Sequence, residues 1–237
     1  MGVTYNPRIV TDGLVLALDA GNTKSYSGTG TTWTDLSGQG NNGTLANGPT
    51  YSSSNGGSIV LDGTNDYVQI LNSNGFGEVS TTPTISLELW ANITRKSGGG
   101  QQYQQLAGFR NDGVFSFFFL LLDSSGASVN TEARIQTTSG TWDINVPYLS
   151  YFNTWTHITF TANVNRTDLY FNGNLIGSNT AVSGSFGSTS GNFRIGTSLS
   201  GAYPTLGNIS SVKVYNRALT ASEIQQNFNA LRGRFGI

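Results

Sequence analysis

The sequence predicts an all-β fold: a two-sheet antiparallel jelly-roll β-sandwich with one short C-terminal helix. Three observations predict it. Short apolar or alternating segments follow one another along the 237 residues, separated by turn-forming Gly, Asn, Ser and Asp. Helical spacing of apolar residues is recognised in one place, near the C-terminus. A hydrophobic content of 37% with no cysteine is sufficient for one cross-link-free core at this length.

The strand segments are identified by their length and by the alternation of apolar and polar residues. In TISLELWANI, Leu87 and Leu89 lie on one predicted face, while Glu88 and Trp90 lie on the other. The pair Asn172-Gly173 predicts a tight hairpin, because both turn positions tolerate positive φ. In chain order, the segments are GLVLALDA (13–20), SIVLDG (58–63), DYVQIL (66–71), TISLELWANI (84–93), WTHITFTA (155–162), NFRIGT (192–197) and ISSVKVYN (209–216).

The predicted helix begins at a capping box, in which Thr220 and Glu223 satisfy each other's backbone N–H groups. Ile224, Phe228 and Leu231 then recur at helical spacing and form one apolar stripe. No internal repeat or composition break interrupts the chain. We therefore predict one domain over residues 13–231, an N-terminal arm over 1–12 and a C-terminal tail over 232–237, with arm and tail available to contact a neighbouring molecule.

The charge content is low, since only 11% of the residues are charged and the net charge is −1. The 12 Lys and Arg residues are scattered, so we expect no nucleic-acid partner. No apolar run is long enough for a membrane-spanning helix, and the first residues lack the basic and apolar regions of a signal peptide. We therefore expect neither membrane insertion nor classical secretion.

Five motifs occur in a fixed order: LDGTNDYV (61–68), TISLELW (84–90), WTHI (155–158), LYFNG (169–173) and VYNRALTASEI (214–224). This set resembles the laminin-G-like, concanavalin-A-like jelly-roll domain over residues 13–231. It is similar in particular to the version found in virion structural proteins of cyanobacterial and marine bacteriophages. The resemblance implies the jelly-roll fold, whereas members of this group serve as carbohydrate binders, adhesion modules or structural parts.

Catalysis is not predicted. His157 is the only histidine, it follows a tryptophan at a strand start, and in the family that the chain resembles this motif is structural. Related glucanases carry acids alternating along one strand, which places an acid and a nucleophile on one face. Here the glutamates stand apart from one another: Glu78, Glu88, Glu132 and Glu223. We therefore predict a protein that is not an enzyme and needs no cofactor.

Calcium is the one metal that the sequence leaves open. Asp62 and Asp66 offer hard oxygen ligands at a strand end, where domains of the resembled family often hold Ca²⁺. The ion prefers 6–8 oxygens, so two carboxylates supply only part of a site. Ser210 and Ser211 stand where relatives frequently have acids. The alternative is that both aspartates bind N–H groups of their own turn.

Carbohydrate binding would require exposed aromatic rings beside polar side chains. The candidates are aromatic residues in or near predicted loops and turns: Trp33, Trp142, Tyr148 and Tyr203, with Tyr151 as a further neighbour. The alternative is that these rings fold inward over the ends of the sandwich.

The segment VFSFFFLLLD (114–123) is apolar on both predicted faces, although one face of an antiparallel sheet usually meets water. The terminal helix or a long loop could cover the second face, and so could another protein chain. The candidate interface residues are Phe117, Phe118, Phe119, Leu120 and Leu122.

Together these features predict a virion structural protein, on the capsid, neck or tail surface, that forms a homo-oligomer with other virion proteins as partners. The alternative function is a carbohydrate-binding adhesion module that recognises a host surface glycan. The two functions are compatible, since a virion protein can bind sugar.

Overall fold

The computed structural model describes residues 8–71, 84–98, 102–110, 116–123, 129–185 and 192–237. Within these ranges the chain forms sixteen strands, two 3₁₀ turns and one α-helix, which confirms the predicted fold class. Strands of the first half are β1 Leu14–Asp19, β2 Thr32–Trp33, β3 Gly43–Ala46, β4 Thr50–Ser52, β5 Ser58–Asp62, β6 Tyr67–Ile70, β7 Ile85–Ile93 and β8 Gln104–Arg110. Those of the second half are β9 Ser116–Asp123, β10 Val129–Thr137, β11 Gly140–Ile144, β12 Thr156–Asn163, β13 Arg166–Phe171, β14 Asn174–Asn179, β15 Phe193–Ile195 and β16 Leu206–Tyr215.

The strands form two eight-stranded sheets with antiparallel pairing throughout the described pairs. Sheet A has the order β14-β13-β12-β7-β16-β5-β4, and β1 also pairs with β16. Sheet B has the order β11-β10-β9-β8-β15-β6-β3-β2. Strand β16 can serve three neighbours because its first half pairs with β5, its second half pairs with β1, and its other edge pairs with β7.

The core lies between the two sheets and is filled by the inward residues of the alternating strands. Phe117 of sheet B stacks on Phe160 of sheet A, with ring centroids 4.8 Å apart. Leu18, Leu87 and Val68 are fully buried in the same cluster. Burial of apolar surface at this scale is the main stabilising contribution to such a sandwich.

The helix α1, Ala221–Phe235, begins at the predicted capping box: the Thr220 hydroxyl accepts a hydrogen bond from the Glu223 N–H, and the Glu223 carboxylate accepts one from the Thr220 N–H. It continues four residues beyond Leu231, so the predicted domain boundary at residue 231 falls inside the helix. Phe228 and Phe235 stack on Trp90, at 5.8 and 4.2 Å, on the outer face of sheet A.

The described part of the N-terminal arm lies against this helix. The Val10 N–H donates to Asn227 at 2.7 Å, and the Val10 carbonyl accepts from the Tyr215 hydroxyl at 3.1 Å. The Arg8 carbonyl accepts from Gln226. Residues 8–10 therefore form hydrogen bonds within their own chain, while residues 1–7 lie outside the described residues.

The hairpin predicted at Asn172-Gly173 joins β13 to β14, and φ is 50° and 79° at its two residues. Positive φ at both positions matches the twist of the flanking strands. In the part of the chain that the structure describes, no helix combines the length and apolarity that crossing a membrane would require.

Candidate functional site

Two of the four predicted sugar platforms are core residues. The side chains of Trp33 and Tyr148 are 0% exposed. Tyr148 packs edge-on against Phe119, Phe152 and Phe171. The expectation that these two rings lie at the surface is wrong, because both side chains pack into the core cluster between the sheets.

The other two predicted platforms remain partly exposed but lie far apart in the fold. Trp142 belongs to β11, the edge strand of sheet B, and packs against the core cluster beside Gly140. Tyr203 follows β15 and lies over the middle of the same sheet, where its carbonyl accepts a hydrogen bond from the Gln105 N–H at 2.8 Å. Trp33, on β2, marks the opposite edge from Trp142. The structure therefore does not bring the predicted platforms together.

The apolar segment in β9 is covered within the chain where the structure describes it. Phe117 and Phe119 face the core, and Phe118 faces outward but is only 1% exposed. Above Phe118 lie the guanidinium groups of Arg110, 4.8 Å from the ring centroid, and Arg134, at 5.8 Å. The expectation that these three phenylalanines form an exposed interface is wrong.

The helix does not cover β9 either, because it packs on the other sheet. The side chains of Leu120 and Leu122, the remaining interface candidates, lie outside the described residues.

The two candidate calcium ligands bind their own turn. The Asp62 carboxylate accepts from the N–H of Thr64 at 2.7 Å, and the Asp66 carboxylate accepts from the N–H of Asp62 at 3.1 Å. The backbone N–H of Thr64 lowers the pKa of Asp62, whereas burial raises the pKa of Asp66. The Lys96 ammonium binds the Gly63 carbonyl in the same turn at 2.7 Å.

This donor set does not fit calcium, which requires 6–8 oxygens, because the carboxylates are engaged by N–H groups and a cation already lies beside them. Among the described residues no group of three or more His, Cys, Asp or Glu could hold a metal ion.

His157 is a strand residue, as predicted, and it is fully buried beneath the helix. Its Nε2 lies 3.4 Å from the carboxylate of Glu88, which is also 0% exposed. Glu88 in turn binds the Lys213 ammonium and the Asn227 amide, each at 2.7 Å. The bond between Glu88 and Asn227 holds the helix against sheet A. Because the helix separates this cluster from solvent, the cluster offers no reacting group to a substrate.

The remaining glutamates likewise have structural partners where they are described. Glu132 pairs with Arg134, and Glu223 binds Arg217 and the helix N-terminus. Glu78 lies outside the described residues.

The face of sheet B that points away from the core carries a row of paired residues that crosses all eight strands. Successive members are direct cross-strand neighbours, which places adjacent side chains roughly 5 Å apart. From one edge to the other the row is Thr32, Thr44, Gln69, Arg194, Gly108, Phe118, Arg134 and Asp143. The helix packs on sheet A and therefore does not cover this row.

Aromatic rings and guanidinium groups alternate around the centre of the row. Arg194 lies 4.2 Å above the Tyr67 ring, and Arg110 lies 4.4 Å from the Tyr203 ring. Tyr203 also contacts Tyr103, with centroids 5.6 Å apart. All five of these side chains are half-buried. We call them the aromatic–arginine band, which consists of Tyr67, Tyr103, Arg110, Arg194 and Tyr203.

Gly108 makes this packing of side chains possible at the centre of the sheet. Its φ is 147°, and a Cβ at this position would lie 2.4 Å from the Cβ of Phe118. Without a side chain at Gly108, Phe118 packs directly against β8, and Arg110 covers it from above. A larger residue would force β8 and β9 apart.

Tyr203 adopts a left-handed backbone conformation, with φ of 61°. This conformation costs a bulky L-residue on the order of 1–2 kcal/mol, and such strain concentrates at functional positions. The hydrogen bond from Gln105 and a turn bond between the Ser198 N–H and the Ala202 carbonyl hold the loop in place. The conformation directs an aromatic side chain onto the sheet face at a position where glycine would fit more easily.

Tyr203 is the one member of the band that was predicted from the sequence. Tyr67 and Gln69 alternate with the buried Val68 and Ile70, so the alternation in DYVQIL is sufficient to predict that they point outward. The neighbour of Gln69 across the sheet, Arg194, is 125 positions away in the chain. No local pattern could have shown that the two strands pair.

The family follows from a comparison with known protein families. A model described as the concanavalin A-like lectin/glucanases superfamily matches residues 62–225, more than half of the chain. The chain belongs to this family. No curated protein matches it in sequence.

Solved structures of similar fold include two toxin binding domains. One is the binding domain of Paraclostridial Mosquitocidal Protein 1, with a TM-score of 0.68, 19% identity, and coverage of 93% of this chain and 52% of that one. The other is the binding domain of Botulinum Neurotoxin DC in complex with SialylT, with a TM-score of 0.69, 17% identity, and coverage of 93% and 52%. The chain thus spans about half the length of these domains.

A third similar structure is nearly the same size. Domain 4 of AbnA, an extracellular arabinanase from Geobacillus stearothermophilus, was solved in complex with arabinotriose. Its TM-score is 0.62 at 17% identity, with coverage of 90% of this chain and 97% of that one. At these identities the similarity concerns the fold.

Proposed function

We propose that the chain is a non-enzymatic carbohydrate-binding module and that the aromatic–arginine band on sheet B is its glycan-contact surface. The observation that carries the proposal is the combination of half-exposed rings with planar hydrogen-bonding side chains on the sheet face that the helix leaves free. Tyr67 and Tyr203 offer apolar faces for sugar rings, while Arg194 and Gln69 offer polar groups for hydroxyls.

Two further features support binding rather than catalysis. Tyr203 adopts a positive φ that glycine would adopt without strain, and such backbone strain concentrates at functional positions. The buried carboxylate of Glu88 is enclosed beneath the helix. The arabinanase domain and the neurotoxin domain, solved with arabinotriose and SialylT, add support from proteins of similar fold.

The test is a glycan array followed by titration of the best ligand. Removing a stacking ring loses about 1.4 kcal/mol of binding free energy, so we expect Tyr67→Ala and Tyr203→Ala to bind about tenfold more weakly. Tyr203→Phe keeps the ring and is expected to bind like the wild type. Tyr203→Gly is expected to bind as weakly as Tyr203→Ala but to be more stable by about 1 kcal/mol, because glycine relaxes the positive φ.

The matched control is Tyr51→Ala, which removes a half-buried tyrosine from β4 in the other sheet. Its affinity is expected to stay within twofold of the wild type. A wild-type chain that binds no glycan, or a Tyr203→Ala variant with unchanged affinity, would contradict the proposal.

We further propose that the module is displayed on a bacteriophage particle as a homo-oligomer. The support is the ordered motif set, from LDGTNDYV to VYNRALTASEI, that resembles virion structural proteins. Quantitative peptide mass spectrometry on density-purified particles tests the location. Many copies per particle are expected, whereas recovery of the protein only outside particles would contradict the virion location and leave the glycan proposal standing.

A further inference from the structure

Arg194 has no carboxylate partner among the described residues, in contrast to four other half-buried arginines. Four arginines of the described chain each form an ion pair: Arg134, Arg166, Arg217 and Arg234. The described partners of Arg194 are instead neutral: the Gln69 side-chain oxygen, at 3.2 and 3.3 Å, and the Ser198 carbonyl, at 2.9 Å. Among the described residues, therefore, no carboxylate compensates its positive charge on the face of sheet B.

The guanidinium group is nevertheless held in one orientation. Its plane lies over the Tyr67 ring at 4.2 Å, Gln69 fixes one edge, and Ser198 fixes another nitrogen. An arginine side chain has five N–H donors, and these contacts use three of them. The described contacts leave two N–H donors for a ligand. Because these contacts already fix the side chain, ligand binding loses little further side-chain entropy.

A fixed, uncompensated guanidinium matches an oxyanion with two neighbouring oxygens, which it can bind through parallel hydrogen bonds. The next cation along the row, Arg134, is three strands away, roughly 14 Å, and is neutralised by Glu132 and Asp143. Within the row, Arg194 is therefore the cation without a carboxylate partner among the described residues, and it lies beside a tyrosine ring on which a sugar could stack.

We propose that Arg194 binds the acidic group of an anionic glycan, a polymer whose sugar rings carry carboxylate or sulfate groups. This inference rests on the proposed function, because it assigns the ligand class of the same surface. Tyr67 stacks against the sugar ring, Gln69 orients the guanidinium, and Arg194 forms charge-assisted hydrogen bonds with the acidic group.

The experiment uses the full chain and two matched polymer pairs in calcium-free buffer at low ionic strength. One pair is polygalacturonate and its carboxyl-reduced derivative, and the other is dextran sulfate and dextran. We expect at least tenfold tighter binding of the anionic member of one pair, with a preference that declines as salt is added. The pair that shows the preference identifies the acidic group as carboxylate or sulfate.

Three variants complete the test. Arg194→Gln is expected to remove the preference while keeping the affinity for the neutral polymer. Arg194→Lys keeps the charge but not the planar fork, so it should recover only part of the preference. Arg232→Gln removes the same charge from an exposed position on the helix, which packs on the other sheet. This variant should bind like the wild type. Thermal denaturation of each variant verifies that it is folded.

The outcomes separate the two proposals. Equal binding of anionic and neutral polymers, or a preference that Arg194→Gln leaves intact, would overturn the role of Arg194 and leave the glycan-binding proposal in place. Binding of no glycan on the array and of neither polymer pair would overturn the proposed function itself, and the inference with it.

Discussion

Glu88 and Lys213, which are neighbours on adjacent strands of sheet A, form a buried ion pair beneath helix α1. Burial alone would raise the pKa of the Glu88 carboxyl, but attraction to the Lys213 ammonium and to His157 outweighs it and holds that pKa far below its ordinary value. Asn227 satisfies the second carboxylate oxygen at 2.7 Å. The attraction within such a pair is largely offset by the cost of removing both charges from water, whereas removing one partner leaves the other charge buried and unpaired.

Breaking the pair on one side is therefore expected to be costly. Glu88→Gln leaves the Lys213 ammonium buried without a counter-charge, and we expect the free energy of unfolding to fall by about 3–5 kcal/mol. Urea denaturation measures this loss. The double variant Glu88→Leu/Lys213→Met should recover most of it, because no buried charge remains. A Glu88→Gln protein within 1 kcal/mol of the wild type would show that the pair is not buried as described.

At the scale of a secondary-structure element, the helix N-terminus carries a pH-dependent contribution to stability. Glu223 binds the N–H of Thr220 and the guanidinium of Arg217, and the hydrogen bond to Arg217 is the main cause that lowers the pKa of Glu223 to about 2. A carboxyl whose pKa is lower in the folded state stabilises the fold above its unfolded pKa, near 4.5. That contribution is lost as the pH falls from about 4.5 to about 2.

The measurement is the free energy of unfolding of the wild type and of Glu223→Gln between pH 7 and pH 2. Because the Glu223 side chain is 25% exposed and solvent screens its charge in part, we expect a difference of only about 1 kcal/mol at neutral pH. The two curves should converge as the pH approaches 2. A difference that stays constant over this range would show that the charge of Glu223 is not responsible.

At the scale of the whole molecule, the two outer sheet faces have different roles. The outer face of sheet A is covered by the helix and by residues 8–10, and its polar residues bind one another beneath that cover. The corresponding face of sheet B carries the row of cross-strand pairs and the aromatic–arginine band. This asymmetry is the reason that the proposed glycan-contact surface lies on sheet B.

The last helical turn is expected to be essential for this covering. Deleting residues 232–237 removes Phe235, which stacks on Trp90, and Arg234, which binds Asp19 at 2.6 Å and the Gly57 carbonyl at 2.8 Å. Loss of one buried phenylalanine alone costs about 2–3 kcal/mol. We expect a lower melting temperature and a red shift of tryptophan emission as Trp90 becomes exposed.

Deleting only residues 236–237 is the control, since it leaves both contacts in place, and its melting temperature should stay close to that of the full chain. If the two deletions had equal effects, the last turn would not be part of the folded domain and the boundary predicted at residue 231 would be restored.

The sequence by itself determined the local structure of this protein. The alternation of Leu87 and Leu89 with Glu88 and Trp90, the turn at Asn172-Gly173 and the capping box at Thr220 depend on residues within a few positions of one another. Local backbone preferences and side-chain periodicity are sufficient to specify such features.

Only the tertiary structure decided which surfaces are free and which residues share them. Whether an aromatic ring such as Trp33 or Tyr203 points inward or outward depends on what the opposite sheet and the loops leave uncovered. The contact of Arg194 with Tyr67, and the helix covering Trp90 rather than Phe118, join strands and faces that are distant in the chain. Strand order is set by the packing of the whole core, because many pairings satisfy each strand's own alternation equally well.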